Sequence, residues 1–326
     1  MKNPRVLITT YQSAFLRPGG GEAELKNLVY LLKKVGVQSE IYGSSSSSIG
    51  AYDVILHFSV FQESFDFLKQ LKDLGKPIIL WPNLWWVEEP SAAILDSVKS
   101  FFELSDMLLF KSKAELSNVS QYISLDEFRH EVVGWHIDDR YLVDVDESVF
   151  KKIYSLDHFI LWVGIIERGK NQLSAIKALY NLNVPMVFIG SHRDEAYFFE
   201  CQEAASDSTL FLPYMAPGSD ILRAAYKGCA AYIELSYEPA GLSALEAALY
   251  EKPMILGEAQ WSTEKFGEGI AKVDPTSNSE ILDAVLKALA GEYRFSNSKL
   301  IFKNHVHLDS LKPLERIINN LYLRLD

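Results

Sequence analysis

Residues 237–253 read YEPAGLSALEAALYEKP, and they follow a short apolar run, Ala230 to Leu235. An apolar run of that length, bounded by turn residues, suits a buried parallel strand. The turn after it carries Glu238 and Gly241, and a helix then begins with Glu246 inside its first turns. Strand, glycine turn and helix start together suit an anion. The first backbone N–H groups of a helix have no intrahelical partner, and the macrodipole adds partial positive charge beside them. A local reading competes: Ser243-x-x-Glu246 also fits a capping box, in which Glu246 bonds the backbone of its own helix start.

The two carboxylates and the turn between them resemble the retaining glycosyltransferases of the sucrose-synthase-like family, family 4. The family hallmark, E-x-x-G-L-x-x-x-E, is filled by Glu238, Gly241, Leu242 and Glu246. The resemblance implies the GT-B fold, an α/β architecture of two Rossmann-like domains facing across a cleft, with a C-terminal helix crossing back to the first domain. It also implies roles. Glu238 lies by the donor sugar, Glu246 holds the nucleotide ribose, and backbone amides of Ala240, Gly241, Leu242 and Ser243 take the diphosphate.

The bulk composition agrees with two soluble domains. The chain has 326 residues, 48% hydrophobic and 23% charged, enough for two cores of ordinary size. A formal charge of -11, with neither half basic, argues against a nucleic-acid partner. The two cysteines, Cys201 and Cys229, have no second Cys or His at metal-ligand spacing, so no disulfide scaffold or zinc site is expected. No run approaches the roughly 20 apolar residues of a membrane span. Met1-Lys2-Asn3-Pro4 leads straight into a strand too short for a signal sequence, and the expected compartment is the cytoplasm.

The first half opens with a strand, Arg5 to Thr10, and a loop ending in Arg17-Pro18-Gly19-Gly20-Gly21. An amphipathic helix and a second strand, Val37 to Tyr42, complete a βαβ unit. Three consecutive glycines are not G-x-G-x-x-G, so a dehydrogenase fingerprint is excluded. The family has a Gly-Gly-x-Glu turn here, which places Gly20 and Gly21 by the donor phosphates. His57 falls near the end of the strand Asp53 to Phe58, at the edge where open α/β sheets bind ligands. Family members commonly carry a His after the next strand, whereas this chain has Asn83. That leaves His57 and Asn83 as candidate sugar or acceptor contacts, Asn83 through hydrogen bonding rather than proton transfer. Trp85 and Trp86 read as buried aromatics, and Ser112 reads as opening a helix.

Asp144-Val145-Asp146 has the D-x-D spacing of metal-binding transferases, but it lies in an acidic stretch, Asp138 to Glu147, and reads as a solvated linker. The domains are therefore expected over 1–148 and 149–310, with the amphipathic helix 311–326 returning to the first. The second half restarts at Phe159 to Val163. The following phrase, Gly164 to Asn171, resembles the family's G-R-x-x-x-x-K, with Lys170 in place and Ile165 where the Arg belongs. Lys170 is expected to neutralise the departing diphosphate, with Arg168 as a substitute guanidinium.

The function implied is transfer of a sugar from a nucleotide-diphosphate sugar to a hydroxyl acceptor. The reaction retains configuration and requires neither cofactor nor metal. The acceptor class is a saccharide or lipid-linked molecule in polysaccharide or glycolipid assembly, with peripheral membrane contact and no transmembrane segment. The alternative is a catalytically silent GT-B scaffold that binds nucleotide or sugar without transfer, prompted by Ile165 and Asn83.

Overall fold

The computed structural model describes residues 3–16, 19–292, 295–296 and 298–323. Arg17 and Pro18 of the first loop, and Leu325 of the final amphipathic pattern, lie outside the described residues. The chain forms two compact units, residues 1–136 with 307–326, and residues 137–306.

The first unit holds six parallel strands: β1 (Arg5–Thr9), β2 (Gln38–Ile41), β3 (Val54–Phe58), β4 (Ile78–Trp81), β5 (Met107–Phe110) and β6 (His130–Val132). Their order is β2-β1-β3-β4-β5-β6. β3 and β4 are apolar almost without interruption because helices cover both faces of the sheet. Alternate residues divide between two cores. Val6, Ile8, Val54, Leu56, Phe58 and Ile79 pack beneath the helices Gly20–Lys34 and Lys312–Tyr322. Leu7, Ile55, Ile78 and Leu80 pack beneath Phe65–Asp73 and Ala92–Leu104.

The C-terminal helix belongs to this unit, as the family resemblance implies, and its apolar stripe is the buried face. Leu314, Ile317, Ile318 and Leu321 are buried in the first core, and Arg316 pairs with Glu131 at 2.6 Å.

The second unit repeats the plan with β7 (Ile160–Val163), β8 (Met186–Ile189), β9 (Thr209–Leu212), β10 (Ala231–Glu234), β11 (Met254–Gly257) and β12 (Ala271–Val273). All pairs are parallel, in the order β12-β11-β10-β7-β8-β9. The order reverses between β7 and β10, the switch point of a doubly wound sheet. Loops leaving the carboxyl ends of two such strands diverge and open a crevice.

Residues 137–147 pack against this second sheet's helices. The Arg223 guanidinium donates to the carbonyls of Arg140 and Val143, and the Tyr141 hydroxyl accepts from the Gly218 N–H at 2.8 Å. Asp144 pairs with Lys227 at 2.6 Å, while Asp146 accepts from Ser148 at the start of the helix Ser148–Tyr154. The two D-x-D carboxylates thus serve separate local partners.

Candidate functional site

The loops after β7 and β10 are the two that flank the switch point, and they lie side by side. The Tyr237 N–H donates to the Gly169 carbonyl at 3.2 Å. Lys170 closes a single turn, residues 168–170, and its Nζ reaches Glu238 Oε2 at 3.3 Å. Lys170 is largely enclosed, with 18% of its side chain exposed, whereas Glu238 is open at 44%. The approach at Gly169 is close: an added Cβ would stand 3.1 Å from Glu238 Oε1, and the carboxylate would have to give way. Burial alone would lower the Lys170 pKa. Glu238, Glu234 and Glu167 together outweigh it, so the ammonium is held above its ordinary value and stays charged.

The helix Leu242–Leu249 begins directly after this pair, with Gly241 at its N-cap and no side-chain cap. A Cβ added at Gly241 would meet no protein atom within 4 Å, and its φ of -77° is ordinary. Nothing in the protein therefore demands glycine there, while a bound group approaching the backbone would. The Ser243-x-x-Glu246 capping box is absent. In the first unit Ser112 does cap its helix, accepting from the Glu115 N–H at 3.0 Å, while the Glu115 carboxylate accepts from the Lys111 N–H at 2.6 Å.

Glu246 neither caps nor faces outward. It is 5% exposed, and Oε2 accepts from the Tyr226 hydroxyl at 2.9 Å, with Tyr141 as a second hydroxyl partner. The helix is buried throughout Ala244 to Ala248, so Glu246 is enclosed with its neighbours, beside the aromatic packing of Tyr226 and Tyr250. Burial pushes its pKa up to about 7 against the hydrogen bonds from the two tyrosines.

Arg168 does not stand in for the arginine missing at Ile165. Its guanidinium is 61% exposed and bound by Glu200 at 2.8 Å, with Asp194 at 4.0 Å, over the ring of Tyr197. Charge pairing to the helix Glu195–Ala204 has claimed it.

Two buried charged residues behind the turn escaped sequence reasoning. Glu234, the last residue of β10, accepts from the Tyr232 hydroxyl at 2.8 Å and the Ser236 hydroxyl at 3.1 Å. Burial raises its pKa, against the pull of Lys170, the two hydroxyls and Lys265. The signal was a carboxylate closing an otherwise apolar central strand. Lys265, in the helix Gln260–Phe266, donates to the Ala240 carbonyl at 3.1 Å, and nothing in its local sequence announces this.

In the first unit, His57 is not a sugar contact. It is fully buried, with Nδ1 2.8 Å from the Thr9 hydroxyl and Nε2 3.1 Å from the Ser64 hydroxyl, and burial lowers its pKa to about 3. The β3 backbone directs this side chain into the core shared with Phe101. Gly20 and Gly21 form the first turn of the helix Gly20–Lys34, where Glu22 Oε2 accepts from the Gly19 N–H at 2.6 Å. Asn83 is exposed in a left-handed conformation, φ 51°, after β4. Its Oδ1 accepts from Lys111 Nζ. That buried ammonium also pairs with Glu24 at 2.8 Å and lies 3.4 Å from the ring centre of Trp135. With its carbonyl oxygen so held, Asn83 retains its amide as a donor. Trp86 packs on Tyr122 at 5.5 Å.

Among the described residues no cluster of metal-ligating side chains occurs, and no helix is long and apolar enough to cross a membrane. The sequence matches no family model and no curated protein. The structure is similar to that of Anabaena HepE, solved in complex with UDP and glucose, at a TM-score of 0.80 and 14% identity, covering 97% of this chain and 100% of that one. It is also similar to a sucrose-phosphate synthase from Thermosynechococcus elongatus, at a TM-score of 0.76, 15% identity and 99% coverage of both chains. A third likeness is to the lipopolysaccharide outer core galactosyltransferase WaaB, at 0.63 and 15%, again covering 99% of both. The chain has the GT-B fold: two Rossmann-like α/β domains with a C-terminal helix that returns to the first.

Proposed function

We propose that the protein is a glycosyltransferase moving a sugar from a nucleoside-diphosphate sugar to a hydroxyl acceptor, with retention of configuration and without a metal. The observation that carries this is the Lys170–Glu238 pair, set at the strand-order reversal of the second sheet beside an uncapped helix start. The chief barrier to glycosyl transfer is separation of a diphosphate from an oxocarbenium-like sugar, so fixed positive groups at the leaving group contribute most. In this reading Lys170 and the N–H groups of Gly241, Leu242 and Ser243 hold the diphosphate, and Glu238 orients the sugar hydroxyls. Glu246 contributes from behind, by fixing Tyr141 and Tyr226, rather than by touching ribose. The nucleotide site belongs to the second unit, and a saccharide or lipid-linked molecule supplies the acceptor hydroxyl.

The likeness to a protein solved with UDP and glucose makes UDP the first probe. The deciding experiment is calorimetry with UDP, GDP and ADP, followed by release of diphosphate from the matching hexose donors. Binding of one diphosphate together with slow donor hydrolysis is the expected result. No binding of any of the three sinks the reading. A second reading, a scaffold that binds nucleotide without transfer, is favoured by the engagement of Arg168 with Glu200, which leaves Lys170 without a guanidinium partner at the turn. Binding without hydrolysis or transfer over a broad acceptor panel would decide for it.

A further inference from the structure

Lys265 is 6% exposed, and its Nζ donates to the carbonyl of Ala240, a residue in the turn that precedes the helix Leu242–Leu249. A trans peptide is planar, with C=O and N–H on opposite sides. Holding the Ala240 carbonyl therefore fixes the plane of the Ala240–Gly241 peptide and turns the Gly241 N–H away from Lys265. The ammonium also attracts the charge of Glu234, whose two oxygens are tied to the Tyr232 and Ser236 hydroxyls. A lysine buried this deeply costs desolvation energy, and an apolar side chain of similar length would fill the same volume without that cost. What the apolar residue would lack is the hydrogen bond to the turn and the positive charge behind it.

We propose that Lys265 is a positioning residue of the donor site: its buried ammonium sets the Ala240–Gly241 peptide so that the Gly241 N–H, backed by a fixed charge, receives the diphosphate of the nucleotide sugar. The inference rests on the donor-site reading above, and it assigns the anion-binding geometry of that turn to a residue of a different helix. Because the charge is buried, salt screens its effect on the diphosphate less than it screens surface lysines.

The test compares wild type, Lys265→Met and Lys265→Arg by calorimetry with UDP, GDP and ADP and with the corresponding nucleosides. A 15N-glycine spectrum follows the Gly241 amide, assigned through Gly241→Ala. Lys265→Met is expected to lose roughly tenfold or more in diphosphate affinity. Nucleoside binding should be unchanged, Lys265→Arg should restore part of the loss, and the diphosphate-induced shift of the Gly241 amide should disappear. Should Lys265→Met not fold, Lys265→Gln, which removes the charge and shortens the reach, takes its place with the same expectation. Equal loss for diphosphates and nucleosides, or a Gly241 amide that responds as in wild type, overturns the inference while leaving the donor site standing. A wild-type protein that binds none of the diphosphates overturns the donor-site reading and this inference with it.

Discussion

In the proposed reaction Gly241 and Lys170 bear most directly on the chemistry, and they are expected to fail differently when changed. Gly241→Ala adds a methyl group where the protein has open space and the backbone is ordinary, so stability should fall by no more than about 1 kcal/mol, the cost of a poorer N-cap. Donor affinity should nonetheless fall, because the methyl occupies the path to the helix N–H groups. Thermal melts alongside calorimetry check both halves, and an unaltered diphosphate affinity would remove Gly241 from the site. Lys170→Ala removes a fixed cation from the leaving group, for which a loss of about 10²–10³ in turnover is expected. Arg168→Ala breaks exposed contacts with Glu200, Asp194 and the Tyr197 ring, and turnover should stay near wild type. Comparable losses in the two variants would mean that the arginine swings from Glu200 toward the substrate.

At the scale of elements, the C-terminal helix completes the first core. Ile318 is fully buried there against residues of β1, β3 and β4. Ile318→Ala should cost about 2–5 kcal/mol, through lost burial and the cavity left behind. Chemical denaturation followed by Trp81 and Trp135 fluorescence measures it, and a loss below 1 kcal/mol would place the helix outside the cooperative core. The amphipathic spacing made this helix legible in advance. By contrast, the helix Gln260–Phe266 has seven residues and no sustained apolar period, so pattern reading passed over it and Lys265 together. The last strand of the first sheet, His130–Val132, is short, and residues after His136 pack into the second unit.

Over the whole molecule, two buried titratable groups, one in each unit, are shifted so that their contributions depend on pH in opposite senses. His57 in the first unit has its folded pKa lowered to about 3 by burial, so its neutral form is the native one. Its contribution to stability is present above the ordinary value of 6.5 and is lost as pH falls toward 3. Glu246 in the second unit has its folded pKa raised to about 7. Its contribution is complete below the ordinary value of 4.5 and is lost as pH rises through 7, by about 3 kcal/mol at most. Glu246→Gln should therefore raise the thermal stability of the second unit at pH 8 and flatten its profile between 4.5 and 7. Site-resolved hydrogen exchange at pH 5 and 8 distinguishes the units. An unchanged profile in Glu246→Gln would mean that the carboxylate is ionised in the folded state throughout.

The order of strands and helices and the division into two α/β halves were legible in the amino-acid sequence, because each follows from local apolar periodicity and turn chemistry; the return of the last helix was implied by the family resemblance. The E-x-x-G-L-x-x-x-E stretch likewise marked the turn after β10, and the lysine six residues after Gly164 marked the turn after β7. What only the tertiary structure decided was the direction of individual side chains. Parallel crossover brings Lys170 to Glu238 across the strand-order reversal, although 68 residues separate them. Packing turned His57 into the core, drew Glu246 onto two tyrosines, diverted Arg168 to Glu200 and set Lys265 behind Ala240. Periodicity reports which face of an element is buried. It carries no information about which distant charge or hydroxyl waits on that face, and those partners determine what a titratable residue does.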